Sequence, residues 1–204
     1  TLDGTLFPYT TLFRSFRLPG GDAASREPRR SALGILHEMF GRSAFERRDL
    51  PCVADFSAEE IQVIAKMLER DVNSPRATSA GRLFDAAASL AGLRQRCRFE
   101  GQAAMELEFA LGAAPDCGDA YPLPLLESPA SPPRSGNETF ARDLTSLEPT
   151  WRLDWEPLMG SILSDAESGA PLAVIATRFH NALAEGAVQV AVRSGQIGRA
   201  SCRE

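Results

Sequence analysis

The sequence predicts a mostly α-helical fold, and three observations carry that expectation. Apolar residues recur three and four positions apart in one window after another. The windows open on Ser or Pro and close on Gly, the residues that start and stop helices. One stretch alone, Ala120–Leu126, reads as strand.

Taken in order, Phe16–Arg30 has two glycines and two prolines among charges and reads as a loop into a helix. Pro28 suits a first helical turn, where its missing N–H costs nothing. From Arg29 to Phe40 the apolar face is Leu33, Leu36, Met39 and Phe40, with Gly41 as the stop. A second helix begins at Ser57, where Glu60 completes a capping box worth about 1 kcal/mol, and its face is Ile61, Ile64, Ala65 and Leu68. Ser79 is placed to cap a third helix through Leu90, with Leu83, Ala86, Ala87 and Leu90 inward and Gly92 ending it. Phe99–Gln102 opens a fourth, with a less regular stripe of Met105, Leu107, Phe109 and Leu111. Between Ala113 and Thr150 the composition changes: five prolines lie between Pro122 and Pro133, followed by Ser135-Gly136-Asn137, which a helix cannot accommodate throughout. A short strand over Ala120–Leu126 and then a mobile loop are expected there. Asp154 is placed to cap Trp155–Asp165, stopped near Gly169, and Pro171 begins a long helix with the stripe Ile175, Phe179, Leu183 and Val190. No internal repeat or heptad pattern is visible.

The 204 residues suffice for one to one and a half ordinary domains. Hydrophobic residues at 44% and charged residues at 24% are ordinary for globular chains and exclude general disorder and collagen. No apolar run approaches the ~18 residues a membrane span needs, so no membrane partner is expected. A net charge of -5 opposes a role in neutralising phosphates along a nucleic acid. Lys66 is the sole lysine, and the arginine bias reads as coding bias in a GC-rich genome. Cys52, Cys97, Cys117 and Cys202 are dispersed without a CxxC pair, so neither a zinc knuckle nor a thioredoxin-like motif is present. Reduced thiols and a cytoplasmic location are expected, since nothing at the start reads as an export signal.

No HExxH, GxxxxGK[ST] or GxSxG motif occurs, and His37 and His180 read as surface or helix-packing residues. Gly20-Gly21-Asp22 suits either an anion-cradling turn or simply a tight one. The densest polar group is Asn73–Arg82, a small-residue loop running into a helix whose free N–H groups and positive end could hold phosphate. Asp85, one turn beyond Gly81, would face the same mouth; an ordinary capped helix explains the pattern equally well. Glu100-Gly101-Gln102 marks a second helix start of similar character, where capping is again a sufficient explanation.

Four strings in this order, FRLPGGDAASREPRRSALG, ERDVNSPRATSAGRLFDAAASLAGL, RFEGQAAMELE and ATRFHNALAEGAVQVA, resemble the C-terminal, Kae1-like part of the HypF-type carbamoyltransferases that mature nickel-iron hydrogenases. The resemblance runs from Phe16 to Arg193, placing a partial Kae1-like domain at residues 16–194 with a variable Pro-rich loop at about 113–150. The ends, about Thr5–Ser15 and Gln196–Glu204, resemble translated adapter sequence, so residues 1–15 and 195–204 are expected to be artefactual tails.

The resemblance implies a fragment of an α/β actin-like ATPase fold (the ASKHA architecture, two-lobed), of which this window supplies mainly helices. It implies an ATP-dependent carbamoyltransferase that uses carbamoyl phosphate and ATP, through carbamoyl-adenylate, to carbamoylate the C-terminal cysteine of a HypE-type partner, the source of the hydrogenase cyanide ligands. By itself this segment is expected to be inactive and aggregation-prone. Asn73, Ser79, Gly81, Arg82 and Asp85 match the family's NSP and GRLFDA block, implying close backbone approach at Gly81 and a polar contact to ribose or base from Asp85. Glu100 and Gln102 match the EGQAA block and would line the same cleft. Asp22 and Arg26, in the PGGDAA block, are weaker candidates, and His180 is expected to be structural. The family's divalent metal, zinc or iron, is held by an HHHAH cluster and a late Asp that this window lacks, and Asp3 is ambiguous because the WGGE motif expected after it is absent. No catalytic residue is assigned. A related O-carbamoyltransferase, a tRNA threonylcarbamoyl transferase, and a non-catalytic helical interaction module are the alternatives.

Overall fold

The structure, a computed structural model, describes residues 13–113, 118–128 and 150–200. It is built from α1 (Pro28–Phe40), α2 (Pro51–Ala54), α3 (Ala58–Arg70), α4 (Ala80–Leu90), α5 (Gln102–Phe109), α6 (Glu156–Glu167) and α7 (Leu172–Ala200). The strands are β1 (Phe16–Arg17), β2 (Arg76–Ala77), β3 (Leu125–Ser128) and β4 (Thr150–Leu153). β1 pairs antiparallel with β2, placing Phe16 opposite Ala77, and β3 pairs antiparallel with β4 from Leu125–Leu153 to Ser128–Thr150.

α1 is the central helix: every residue from Ser31 to Leu36 is buried, so it is packed on all sides rather than along one stripe. Pro28 occupies its first turn, and Gly41, at φ 60, ends it with an N–H to the His37 carbonyl. Gly34 is required by contact, because a Cβ there would stand 2.0 Å from the Arg17 carbonyl oxygen. α4 packs against α1 and buries Leu83, Ala86, Ala87 and Leu90 as the periodicity expects. α3 starts on the predicted capping box: the Glu60 N–H donates to Ser57 Oγ at 3.2 Å and the Ser57 N–H to the Glu60 carboxylate at 2.8 Å.

Three expectations are revised. Ser79 stands at the N-cap of α4 but its hydroxyl makes no bond to the helix. In α5 the inward residues are Ala103 and Leu107, one turn apart, whereas Met105 and Phe109 are exposed; residues two apart cannot share a helical face. The expected strand lies further along, at Leu125–Ser128, and it gains a partner, β4, that the sequence did not lead one to expect. Most of the segment expected to form a mobile loop, residues 129–149, lies outside the described residues, as does Asp3.

α6 starts one residue later than expected, with Trp155 rather than Asp154 at its N-cap, although Asp154 Oδ1 accepts from the Glu156 N–H at 3.2 Å; α7 buries Ile175 and Phe179 with Leu183 and Val190 partly covered. His180 packs in the helix interface against Phe84 at 5.4 Å, with Nδ1 2.7 Å from the Ala176 carbonyl oxygen. Phe13–Ser15, within the segment expected to be a tail, join the core: Phe13 is buried and the Arg14 N–H donates to the Leu153 carbonyl at 2.9 Å. The fully buried Trp155 donates its indole N–H to the Arg14 carbonyl at 2.6 Å and meets Phe16 edge-on at 5.8 Å. Among the described residues no helix is long and apolar enough to cross a membrane.

Candidate functional site

Two short segments far apart in sequence are strapped together below the start of α4. The Gly20 N–H donates to the Asn73 carbonyl at 2.8 Å and the Leu18 N–H to the Pro75 carbonyl at 2.9 Å. The diglycine serves this approach: Gly20 adopts φ 90, and a Cβ on Gly21 would stand 3.3 Å from Asn73 Oδ1. Asn73 itself takes φ 47, a left-handed conformation that Asn tolerates better than most residues. A tight turn at Gly21–Ser25 then carries exposed Asp22 toward Arg26, whose carbonyl accepts from the Cys97 N–H at 2.7 Å. One turn therefore links the Asn73 segment to the loop that precedes α5.

At the first turn of α4, Arg82 stands between two carboxylates. Its Nη1 lies 3.1 Å from Asp85 Oδ2 and its Nη2 lies 3.5 Å from Glu100 Oε1, at the start of α5. Asp85 is 2% exposed, and Oδ2 has no aligned hydrogen bond despite its closeness to Arg82. Burial pushes its pKa up to about 6; Arg82 opposes the rise and Glu100 adds to it. Ser79 makes no cap bond, so the first N–H groups of α4 lack a side-chain partner one turn before the buried, poorly satisfied Asp85 carboxylate. Gly81 is open: a Cβ there would meet only Ser79 Oγ, at 3.5 Å.

Arg82, Asp85 and Glu100 are thus brought together, beside the uncapped Ser79–Gly81 turn. Gln102 is engaged elsewhere: its Oε1 accepts from the Arg98 N–H at 2.8 Å and its Nε2 donates to Glu106 at 2.9 Å. It acts as a brace for the α5 start, because Glu106 also takes two bonds from Arg94, at 2.6 and 2.8 Å.

Sequence reasoning gave no role to Cys97 or to Arg29. Cys97 has its thiol pKa raised by burial, with the negative charge of Asp85 adding to the rise. Arg29 is fully buried and meets Glu27 at 2.7 Å, Glu60 at 3.0 Å and Asp55 at 3.1 Å, with its guanidinium 3.9 Å from the Phe56 ring centroid. A signal for Arg29 existed, since it lies three, four and seven positions before Ala32, Leu33 and Leu36 on the inward face of α1.

A separate polar cavity of about 400 Å³ is lined by Asp119, Tyr121, Ser161, Ser164, Asp165 and Arg178. There the Tyr121 hydroxyl donates to Asp165 at 2.6 Å and Arg178 donates to the same oxygen at 2.9 Å, clamping the segment before β3 onto α6 and α7. Burial, and then the Asp165 bond, hold the Tyr121 hydroxyl proton well above the usual range. Among the described residues no group of three or more His, Cys, Asp or Glu side chains is placed to hold a metal ion.

The fold is that of a Kae1-like module of the carbamoyltransferase class: residues 2–201 match the family described as carbamoyltransferase, Kae1-like domain, second subdomain. The backbone superposes on full-length HypF in its phosphate- and nucleotide-bound form with a TM-score of 0.69 and 27% identity, over 90% of this chain and 25% of that one. Against T. kodakarensis HypF the TM-score is 0.65 at 28% identity, over 91% and 22%. The chain belongs to the HypF carbamoyltransferase family. It is 37% identical over 185 residues to a HypF homolog of Cupriavidus necator, covering 90% of this chain and 42% of the relative. It is 38% identical over 146 residues to HypF2 of the same organism, covering 69% and 17%, and 31% identical over 192 residues to HypF of a Synechocystis species, covering 88% and 22%. The chain thus spans between 17% and 42% of the length of these relatives. As the resemblance implied, a mostly helical window belongs to a larger α/β fold.

Proposed function

We propose that this chain forms the nucleotide-facing part of a carbamoyltransferase that uses carbamoyl phosphate and ATP, through carbamoyl-adenylate, to carbamoylate the C-terminal cysteine of a HypE-type protein in hydrogenase maturation. The observation that carries this reading is Asp85: a buried carboxylate with a poorly satisfied oxygen, beside an uncapped helix start and a guanidinium. That combination suits a ligand bearing both hydroxyl donors and a phosphate. In this reading Asp85 accepts from a ribose hydroxyl, while the N–H groups at Ser79–Gly81 and the Arg82 guanidinium face the phosphate. The Gly20–Arg26 turn and Asn73 hold the wall of the site through the bonds already described, and Gln102 braces the α5 start. In the transfer step the partner's thiol loses its proton, sulfur bonds to the carbamoyl carbon, and the bond from that carbon to the phosphate oxygen breaks, releasing AMP. The reaction belongs in the cytoplasm, where both small substrates and reduced thiols are available.

The test is carbamoyl-phosphate-dependent cleavage of ATP to AMP and pyrophosphate by the full-length protein, followed by transfer to the partner thiol. Asp85→Ala is expected to impair transfer while the far-ultraviolet circular dichroism stays native. Unchanged transfer in that variant removes Asp85 from the site.

A further inference from the structure

The three charges at the mouth between α4 and α5 carry a consequence beyond nucleotide binding itself. Two carboxylates on one guanidinium leave the group with a net charge of about -1 when both are ionised, the wrong sign for receiving a phosphate at a helix start that otherwise favours anions. The two acids differ in their freedom to leave. The Asp85 side chain is 3% exposed and fixed one turn along the same helix, whereas that of Glu100 is 79% exposed and belongs to the opposite side of the mouth.

We propose that Glu100 is a latch on Arg82: in the ligand-free protein it occupies the Nη2 edge of the guanidinium, and a phosphate-bearing ligand displaces it there. Arg82 is then the residue by which the site distinguishes a nucleotide from its nucleoside, while Asp85 holds the guanidinium in register through Nη1. The inference rests on the nucleotide reading above and adds a self-inhibiting contact to it. An exposed ion pair contributes up to about 1 kcal/mol, so removing the competing carboxylate should strengthen binding of a phosphate ligand by up to about fivefold.

The experiment is calorimetric titration of the full-length protein, at low and high salt, with AMP and with adenosine. Glu100→Gln is expected to bind AMP more tightly than wild type, by up to about fivefold, with a smaller gain at high salt and unaltered adenosine affinity. Arg82→Gln is expected to lose the preference for AMP over adenosine. Equal or weaker AMP binding by Glu100→Gln overturns the latch while leaving the nucleotide reading intact. If the wild type binds neither ligand, the nucleotide reading falls and the latch falls with it. Glu100 is a surface side chain, so the decisive variant does not threaten the fold.

Discussion

Replacing Asp85 by Asn separates a functional from a structural account of this residue, because the two predict opposite signs. Its pKa is raised from the ordinary 3.8 to about 6, with burial as the largest cause. At about 1.36 kcal/mol per unit, keeping it ionised in the folded chain costs about 3 kcal/mol. For a folded-state pKa above the unfolded one, the associated stability is fully present below about pH 4 and lost as the pH rises through about 6. Asp85→Asn, which keeps the shape and removes the charge, should therefore stabilise the protein by about 3 kcal/mol at pH 7.5 and by only about 0.5 kcal/mol at pH 4. For a chain of this size that corresponds to a rise in melting temperature of roughly 6–12 °C at the higher pH. The assay is a pair of reversible thermal melts for each protein, at pH 7.5 and pH 4. A lower melting temperature for Asp85→Asn at pH 7.5, or the same difference at both pH values, would refute the reasoning. A stabilised variant that has also lost AMP binding is the outcome expected of a residue kept for binding at a cost in stability.

Three further substitutions test the frame around the site. Arg29→Ala leaves Glu27, Asp55 and Glu60 without their buried partner and should cost about 3–5 kcal/mol, read as a lowered urea midpoint; an unchanged midpoint would show the hub to be dispensable. Glu27 is held below the ordinary carboxylate range by Arg29 and Arg30 despite the opposing effect of burial, and Glu60 by the Ser57 N–H and then Arg29. Stability from both acids is present above their ordinary pKa of 4.5 and lost as the pH falls through their lower folded values, so Arg29→Ala should also weaken the acid dependence of unfolding. Gly34→Ala puts a methyl group 2.0 Å from the Arg17 carbonyl oxygen and should destabilise by about 1–3 kcal/mol or more. Gly160→Ala in α6, whose nearest neighbour would be Met39 Cε at 3.7 Å, should instead stabilise by about 0.5–1 kcal/mol. Equal effects of the two glycine substitutions in melts would contradict the packing described for α1.

The helices were legible where local chemistry decides them. Ser57 with Glu60 and Pro28 with Gly41 mark ends that the structure keeps, because caps and stops act within one turn. α5 was misread because Met105, Leu107, Phe109 and Leu111 are all apolar, and only the surroundings decide which of them face inward. β4 escaped notice because four residues carry little periodicity and their pairing partner lies across the Pro-rich segment. At the site, the GRLFDA string located Asp85 and Arg82, but it could not show that Ser79 leaves the helix uncapped or that Glu100 reaches Arg82 from another helix. Gln102 shared a motif with Glu100 yet turned to brace its own loop, since side-chain direction depends on the fold rather than on adjacency in sequence.

The bond from the Trp155 indole to the Arg14 carbonyl closes a span of 141 residues. A ribosome elongating at about 5–20 residues per second needs roughly 7–28 s to cross that span. Through that interval Phe16 lacks the ring that later covers its edge, while the loop and helix starts carrying Asn73, Arg82, Asp85 and Glu100 are synthesised well before Trp155. The segment carrying these four residues is thus complete before the contact that covers Phe16 can form. Nascent chains stalled before Trp155 should be the aggregation-prone species during synthesis, and a chaperone holding the stretch around Phe13–Phe16 would act on the folding step that waits longest.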